Sequence, residues 1–185
     1  QIELPPHMAE IAEQTDHNIN GGSLRWNFYA PNSRHFVNVY TSAQGIGRDS
    51  YYGTGKDPNA YGRTEDFTIV AGAQYSYVFN KCLFMPAQFT VGFEYTYNDL
   101  NDHSIGFDRS IMQTVRTAGM YIQNEWKNEK VNFVVGGRFD KHNMMRKIIF
   151  SPRANLRYSP HEDVGLRVSY SSGYRAPQAF DEDLH

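Results

Sequence analysis

Long apolar runs are missing from these 185 residues. The longest uninterrupted stretches are only a few residues, so no helix of this chain can cross a bilayer, which takes about 20 apolar residues. Cysteine is almost absent. The single Cys82 excludes an internal disulfide framework and a four-thiolate zinc site. An excess of positive charge is also lacking: a net charge of −2 and a pI near 6.4 give no basic field to draw in nucleic acid. No leader-like segment opens the chain, since Gln1 leads directly into polar sequence and Pro5-Pro6. The 3.6-residue period of amphipathic helices is all but absent too.

What the chain has in abundance is aromatic side chains. Thirteen Tyr, 12 Phe and 2 Trp make 15% of the residues, yet the mean hydropathy is −0.61. Apolar and polar residues must therefore be finely interleaved, and the interleaving has a period of two. Phe67, Ile69, Ala71, Ala73, Tyr75, Tyr77 and Phe79 alternate with Thr68, Val70, Gly72, Gln74, Ser76 and Val78. Phe89, Val91, Phe93, Tyr95 and Tyr97 alternate with Thr90, Gly92, Glu94 and Thr96. The same pattern recurs downstream, and it fits residues 23–30 and 36–44 less tightly. Strict alternation marks strands with one apolar face. It predicts an all-β, antiparallel, up-and-down meander of about eight strands, near 17–30, 35–46, 65–79, 88–99, 113–126, 131–142, 148–158 and 164–173.

The connections alternate in length. Short turns fall at 31–35, 80–86, 127–130 and 159–163, and longer polar loops at 46–64, 99–113 and, more modestly, 142–147. Strands of about 10 residues with short turns on one side and long loops on the other describe a transmembrane β-barrel, partial or small and closed. Phe28, Phe79, Trp126 and Tyr158 lie on the apolar face near short turns, as an interfacial aromatic girdle would. Alternation also describes a soluble sheet with one face on a core, so a ligand-binding β-sandwich and a complete eight-stranded outer-membrane barrel remain alternatives. Lipid is favoured because the apolar face carries almost no charge. The other face carries Glu94, Glu125, Arg138, Asp140, Arg153, Arg157 and Arg167. Pro152 cannot donate to a ladder, which predicts a bulge or a strand entry there.

Specific words in the sequence carry a family resemblance. RDSYYGTGKDPNAYGRT (48–64), FEYTYNDL (93–100), AGMYIQNEWKNE (118–129), VVGGRFDKHN (134–143), SPRANLRYSP (151–160) and LRVSYSSGYRAPQAFDEDLH (166–185) resemble the barrel of a TonB-dependent outer-membrane receptor of the Bacteroidetes type. The pairing of SPRxNLRYxP with a later G-[YF]-[RK]-A-P is the most specific of these, and it occurs in siderophore and cobalamin receptors. The resemblance implies a Gram-negative outer membrane and a 22-stranded barrel filled by a plug domain. It also implies an energy-coupling TonB-type partner and import of a scarce nutrient such as a ferric siderophore, haem or cobalamin. No plug and no TonB-contacting peptide is present in these residues, which predicts an interior segment of a larger barrel that does not transport by itself. Residues 1–16 then read as an outer-loop remnant and 174–185 as the start of the next outer loop.

Candidate chemistry is sparse. No catalytic constellation is present, Cys82 has no partner residue nearby in sequence, and no cofactor is implied, so an enzyme is not expected. Asp181, Glu182, Asp183 and His185 alternate in direction on an extended segment and read as a solvated loop rather than a metal site. His142, Met144 and Met145 read as a loop tip. The loop 48–63 is a stronger candidate. Tyr51, Tyr52, Asn59 and Tyr61 offer flat faces and amides, and Lys56 and Arg63 offer charge, for a large, partly aromatic, anionic small molecule or metal chelate. Gly53, Gly55 and Pro58 equally describe a mobile surface loop. By strand parity Glu94, Glu125, Arg138, Arg153, Arg157 and Arg167 face the lumen, where the resemblance implies that they grip the plug through ion pairs and bidentate Arg contacts.

Overall fold

A computed structural model describes residues 5–174. A short 3-10 turn, Pro6–Met8, precedes eight strands: β1 Ile11–Tyr29, β2 His35–Thr54, β3 Tyr61–Cys82, β4 Met85–Ser104, β5 Arg109–Lys127, β6 Val131–His142, β7 Ile149–His161 and β8 Val164–Ser171. They form one antiparallel sheet in chain order, with β1 and β8 as its edges. The sheet is open, so the eight strands are part of a wall rather than a small closed barrel, and no second layer packs on it among the described residues. The sandwich alternative falls with that observation.

Alternation fixes which side each residue faces, and the register shows that the faces agree from strand to strand. Glu94 lies opposite Gly72 and Gly119, Tyr121 opposite Arg138, Arg138 opposite Ser151, and Arg157 opposite Arg167. Direct partners share a face. Glu94, Glu125, Arg138, Arg153, Arg157 and Arg167 therefore all lie on one polar face. The opposite face carries Trp26, Val39, Ala73, Phe93, Met120, Val135, Leu156 and Val168. On β3 it stays apolar from Phe67 to Phe79, a height of roughly 25–30 Å once strand tilt is allowed for, which matches the hydrocarbon of a bilayer. Phe93, at 50% exposure, and Val168, at 69%, show a face with none of the described residues against it.

Aromatics collect where this belt meets the short turns. Trp126 stacks between Phe84 at 5.5 Å and Phe133 at 5.6 Å, and its indole N–H donates to the Cys82 carbonyl at 3.0 Å. Tyr29 packs on Phe36 at 4.7 Å and Tyr77 on Phe79 at 4.6 Å. A ring with an apolar body and one satisfied polar atom suits a boundary between lipid and water.

Two of the three expected long loops are mostly strand. β2 runs on to Thr54 and β3 starts at Tyr61; β4 runs on to Ser104 and β5 starts at Arg109. Residues 11–16, expected as loop, belong to β1 and pair with 49–54. Beyond the apolar belt both faces of a strand meet water, so alternation fades from the sequence while backbone pairing continues. Around Pro152 the register is unbroken and no bulge forms. Its carbonyl accepts from Ser172 N at 3.1 Å, so the side on which its N–H is missing faces the place where β8 ends. The run at 175–185 lies outside the described residues.

Candidate functional site

The polar face organises into two clusters. At mid-height Glu94 on β4 accepts from Tyr40 Oη of β2 at 2.5 Å and from Arg138 Nη2 of β6 at 3.0 Å. Arg138 Nε also donates to both oxygens of Asp140, at 2.8 and 3.0 Å. Tyr121 Oη of β5 donates to Gln74 Oε1 of β3 at 2.7 Å. One network thereby ties β2, β4 and β6, and a separate bond ties β3 to β5, in addition to their ladders.

Glycines make this possible. A Cβ on Gly72 would lie 2.5 Å from the Tyr40 ring, one on Gly92 2.2 Å from the Tyr121 ring, and one on Gly119 2.4 Å from Arg138 Nη2 and Asp140 Oδ1. Each glycine is a slot into which the large residue of a neighbouring strand lies flat across the sheet. The arrangement supports a strand that would otherwise lack side-chain packing.

The second cluster stands beyond the belt, on the long-hairpin end. Asp102 is 3% exposed. It accepts from Thr64 Oγ1 at 2.5 Å and forms ion pairs with Arg109, whose Nε lies at 2.6 Å, and with Arg48, whose Nη2 lies at 3.9 Å and donates to Thr64 Oγ1 at 3.0 Å. Glu13 and Asp108 stand with the two arginines at the mouth of this cluster, so charges of both signs meet there. Arg48 and Arg109, with Ser50, Tyr52, Ser104 and Phe107, border a cavity of about 700 Å³.

The six residues expected to bind ligand are not brought to one place. Tyr51 and Tyr61 pack edge to face at 4.8 Å on the side of the hairpin opposite Tyr52. Tyr51 is 1% exposed and donates to the Asp57 carbonyl at 3.0 Å. Burial, then Asp57, then Tyr61 push its phenol above the ordinary tyrosine range. Tyr61 meets His7 Nδ1 at 2.9 Å. Arg63 is held by Glu65 at 2.8 Å and Lys56 by Glu10 at 3.2 Å, both pairs well exposed. Asn59 sits in the turn, where its backbone N–H donates to Asp57 Oδ1 at 2.8 Å. Tyr52 alone of the six borders the arginine cavity.

Of the polar-face set, Glu94 and Arg138 are the centre of the first cluster. Glu125 accepts from Asn132 Nδ2 at 2.7 Å, and Arg153 donates to Gln123 Oε1. Arg157 and Arg167 face each other across β7 and β8, exposed, with no carboxylate against either among the described residues. Sequence reasoning missed Tyr40, Asp102, Arg109 and Phe107. No cluster of three or more metal-ligating side chains occurs among the described residues.

Residues 10–184 match the family model described as "TonB dependent receptor-like, beta-barrel". The chain belongs to the TonB-dependent receptor-like β-barrel family. Its fold is similar to that of the siderophore receptor PirA from Pseudomonas aeruginosa, with a TM-score of 0.52 at 15% identity. That match covers 90% of this chain and 35% of that receptor, so the chain spans about a third of the length of that structure. No curated protein matches the chain in sequence. The family is one of receptors and transporters rather than enzymes, and the open edges at β1 and β8 are those of a TonB-dependent barrel wall whose neighbouring strands lie outside this chain.

Proposed function

We propose that this chain is part of the wall of an energy-coupled outer-membrane receptor of a Gram-negative bacterium, importing a scarce nutrient such as a ferric siderophore. The observation that carries this reading is the two-faced wall. One face is an uncharged belt of bilayer height, and the other is a chain of hydrogen-bonded carboxylates, arginines and tyrosines. A lipid-facing exterior needs the first, and a lumen holding a plug and water needs the second. The siderophore receptor similar in fold supports a ferric siderophore, and the cavity offers such a chelator rings at Tyr52 and Phe107 and cations at Arg48 and Arg109, beside the acids Glu13 and Asp108. Haem and cobalamin are the competing nutrients.

In this reading ligand meets the cavity bordered by Tyr52, Arg48, Arg109 and Phe107, where rings can stack on an aromatic chelator and guanidinium groups can take its charge. Lys56 and Asn59 at the hairpin tip make first contact, with Arg63 beside them. Tyr51 and Tyr61 shape the hairpin. Inside the wall, Glu94, Glu125, Arg138, Arg153, Arg157 and Arg167 hold the plug domain, and a TonB-type protein acts on that plug. Arg157 opposite Arg167 supports plug contact, because like charges face to face are unfavourable without an anion between them. An acidic plug side chain supplies one.

The test is a binding titration of the full-length receptor with ferric siderophores, haem and cobalamin, repeated with Arg109→Ala and Tyr52→Ala. Weakening of a ferric siderophore by both variants is expected. Binding that ignores both would move the ligand site elsewhere.

A further inference from the structure

The apolar face is not uniform in shape. Over β2 and β3 it is a groove of about 560 Å³, floored by Val39, Thr41, Ala71 and Ala73 and walled by Trp26 and Phe93. Further along the same trough β2 carries only Ala43, Gly45 and Gly47 on this face. A Cβ on Gly47 would meet nothing within 4 Å, and one on Gly45 only Phe67 at 3.9 Å. On the polar face glycines are filled by neighbouring tyrosine rings, whereas these slots lie open. Over β6 and β7 the apolar face is instead a ridge. Phe139 stacks on Phe150 at 4.7 Å, and they are 44% and 53% exposed.

Charge at the long-hairpin end follows this shape. Above the groove stand Asp16 and Asp49, directly opposite each other on β1 and β2, with Glu65 and Asp99 beside them. Like charges face to face are unfavourable without a cation between them. Neither Asp16 nor Asp49 forms an ion pair among the described residues, because Arg63, opposite Asp49, is held by Glu65 at 2.8 Å. Above the ridge stand Lys141, Arg146 and Lys147. Lys141 Nζ donates to the carbonyls of Met145 and Arg146 at 3.0 and 2.8 Å, which fixes the turn that carries Arg146 and Lys147. Those two meet no carboxylate among the described residues.

A trough of small residues beneath acids and an aromatic ridge beneath bases are complementary in both shape and charge. Both lie on one chain, so the partner that fits each of them is a second copy. We infer that the receptor associates with itself in the membrane plane, the ridge of one copy seated in the groove of the next. Small residues let backbones within a membrane approach closely, and each ridge brings its cations to Asp16 and Asp49. Curvature sets the number of copies. In a barrel of about 22 strands, the size of plugged outer-membrane transporters, each strand turns the wall by about 16°. Groove and ridge lie four strands apart, so they face directions about 65° apart. A contact between unlike patches builds a ring when its rotation closes, and three cylinders in a ring need contacts about 60° apart, four about 90°. The geometry gives a ring of three. The inference rests on the reading of this chain as part of a lipid-facing barrel wall with the long hairpins outside.

The experiment counts subunits by single-molecule photobleaching of the labelled full-length receptor in phosphatidylcholine bilayers, with EDTA present so that no divalent ion bridges the acids. Complexes of three are expected. Asp16→Lys with Asp49→Lys, or Arg146→Glu with Lys147→Glu, sets like charges against each other. Either pair should raise the receptor density at half-association by at least about tenfold, since each exposed ion pair is worth up to about fivefold and is replaced by repulsion. All four substitutions in one chain set opposite charges together again and should restore complexes of three, which also shows that the reversed residues do not unfold the wall. Ala71→Trp fills the groove and should weaken association without touching any charge. Receptor that stays single at every density, its groove taken by lipid chains, overturns the proposal, as do complexes of two or four. So does association that ignores the charge reversals, or that the four-residue variant fails to recover. The nutrient titration reports separately: single receptors that still bind a ferric siderophore would remove the ring and leave the receptor reading standing.

Discussion

Replacing Phe93 by arginine tests the face assignment at its most sensitive point. On β4 the belt runs from Phe89 to Tyr97, and Phe93 is its middle residue, four positions from either end. At about 3.4 Å per residue along a strand tilted by about 40°, Phe93 lies roughly 10 Å from each boundary, near the bilayer midplane. Arginine there costs about 2–4 kcal/mol, which is roughly a thirtyfold to thousandfold change in the folding equilibrium. The phenyl ring is half exposed on the apolar face, so little protein packing is lost and the lipid term dominates. Thr96→Arg is the paired control, because Thr96 lies on the polar face opposite Val70 and Thr117 and its new charge would meet water and carboxylates. The assay is a guanidinium titration of the full-length receptor in phosphatidylcholine vesicles, followed by tryptophan fluorescence. The midpoint should fall for Phe93→Arg by at least twice the fall for Thr96→Arg. Equal falls, or a larger one for Thr96→Arg, would refute the assignment of faces and with it the reading of the apolar belt as lipid-facing.

Gly92→Val should destabilise the wall by about 1–3 kcal/mol, since its Cβ would lie 2.2 Å from the Tyr121 ring; a double-mutant cycle with Tyr121→Ser should recover part of that loss, and strict additivity would mean the ring is not the obstacle. Asp102→Ala leaves Arg48 and Arg109 facing each other, at a cost of about 2 kcal/mol, below the usual ~3–5 for a broken buried pair because Arg109 remains partly solvated. Hydrogen exchange of amides 100–112 should then accelerate by about thirtyfold, whereas unchanged exchange would show that other contacts hold the hairpins. Trp126→Phe removes only the bond to the Cys82 carbonyl, about 0.5–1.5 kcal/mol, and Trp126→Ala removes both stacks as well, about 1–3 kcal/mol more. Thermal unfolding midpoints should fall in that order, and equal midpoints would place Trp126 outside the packed girdle.

The legible part of this fold was the part the bilayer dictates. Phe89 to Tyr97 and Phe67 to Phe79 alternate because one face must be apolar, so strand identity, direction and facing could be read by counting residues. Register was not legible. Tyr40 and Gly72 are each ordinary in sequence, and only their pairing shows that one fills the space the other leaves. The same holds for Tyr121 with Gly92 and for Asp102 with Arg109. A bulky polar residue and a glycine on the same face of adjacent strands is a usable signal once a register is assumed. The stretch 48–63 misled for a different reason. Its glycines, Pro58 and tyrosines have the composition of a loop, yet Arg48 to Thr54 and Tyr61 to Arg63 are paired strand. Tyr51, which looks like a ligand platform, instead lies over Gly53, whose added Cβ would sit 2.2 Å from its hydroxyl.

The two polar clusters answer different demands, and their geometry differs accordingly. At mid-height the wall is a single layer between lipid and lumen, with few apolar neighbours on its polar side to stiffen it. Tyr40, Glu94, Arg138 and Asp140 supply that stiffness by crossing the strands laterally, and they need glycine slots because an ordinary side chain beneath them would push them off the sheet. Arg138 serves three acceptors from two residues with its planar fork, which a lysine could not do in the same geometry. Beyond the belt the hairpins have water on both faces and nothing to lean on. There a carboxylate buried between strands, Asp102, draws Thr64, Arg48 and Arg109 together and keeps the hairpin ends in register. Because one acid holds two bases from different strands, a single buried group, Asp102, orders the β2–β3 hairpin against the β4–β5 hairpin.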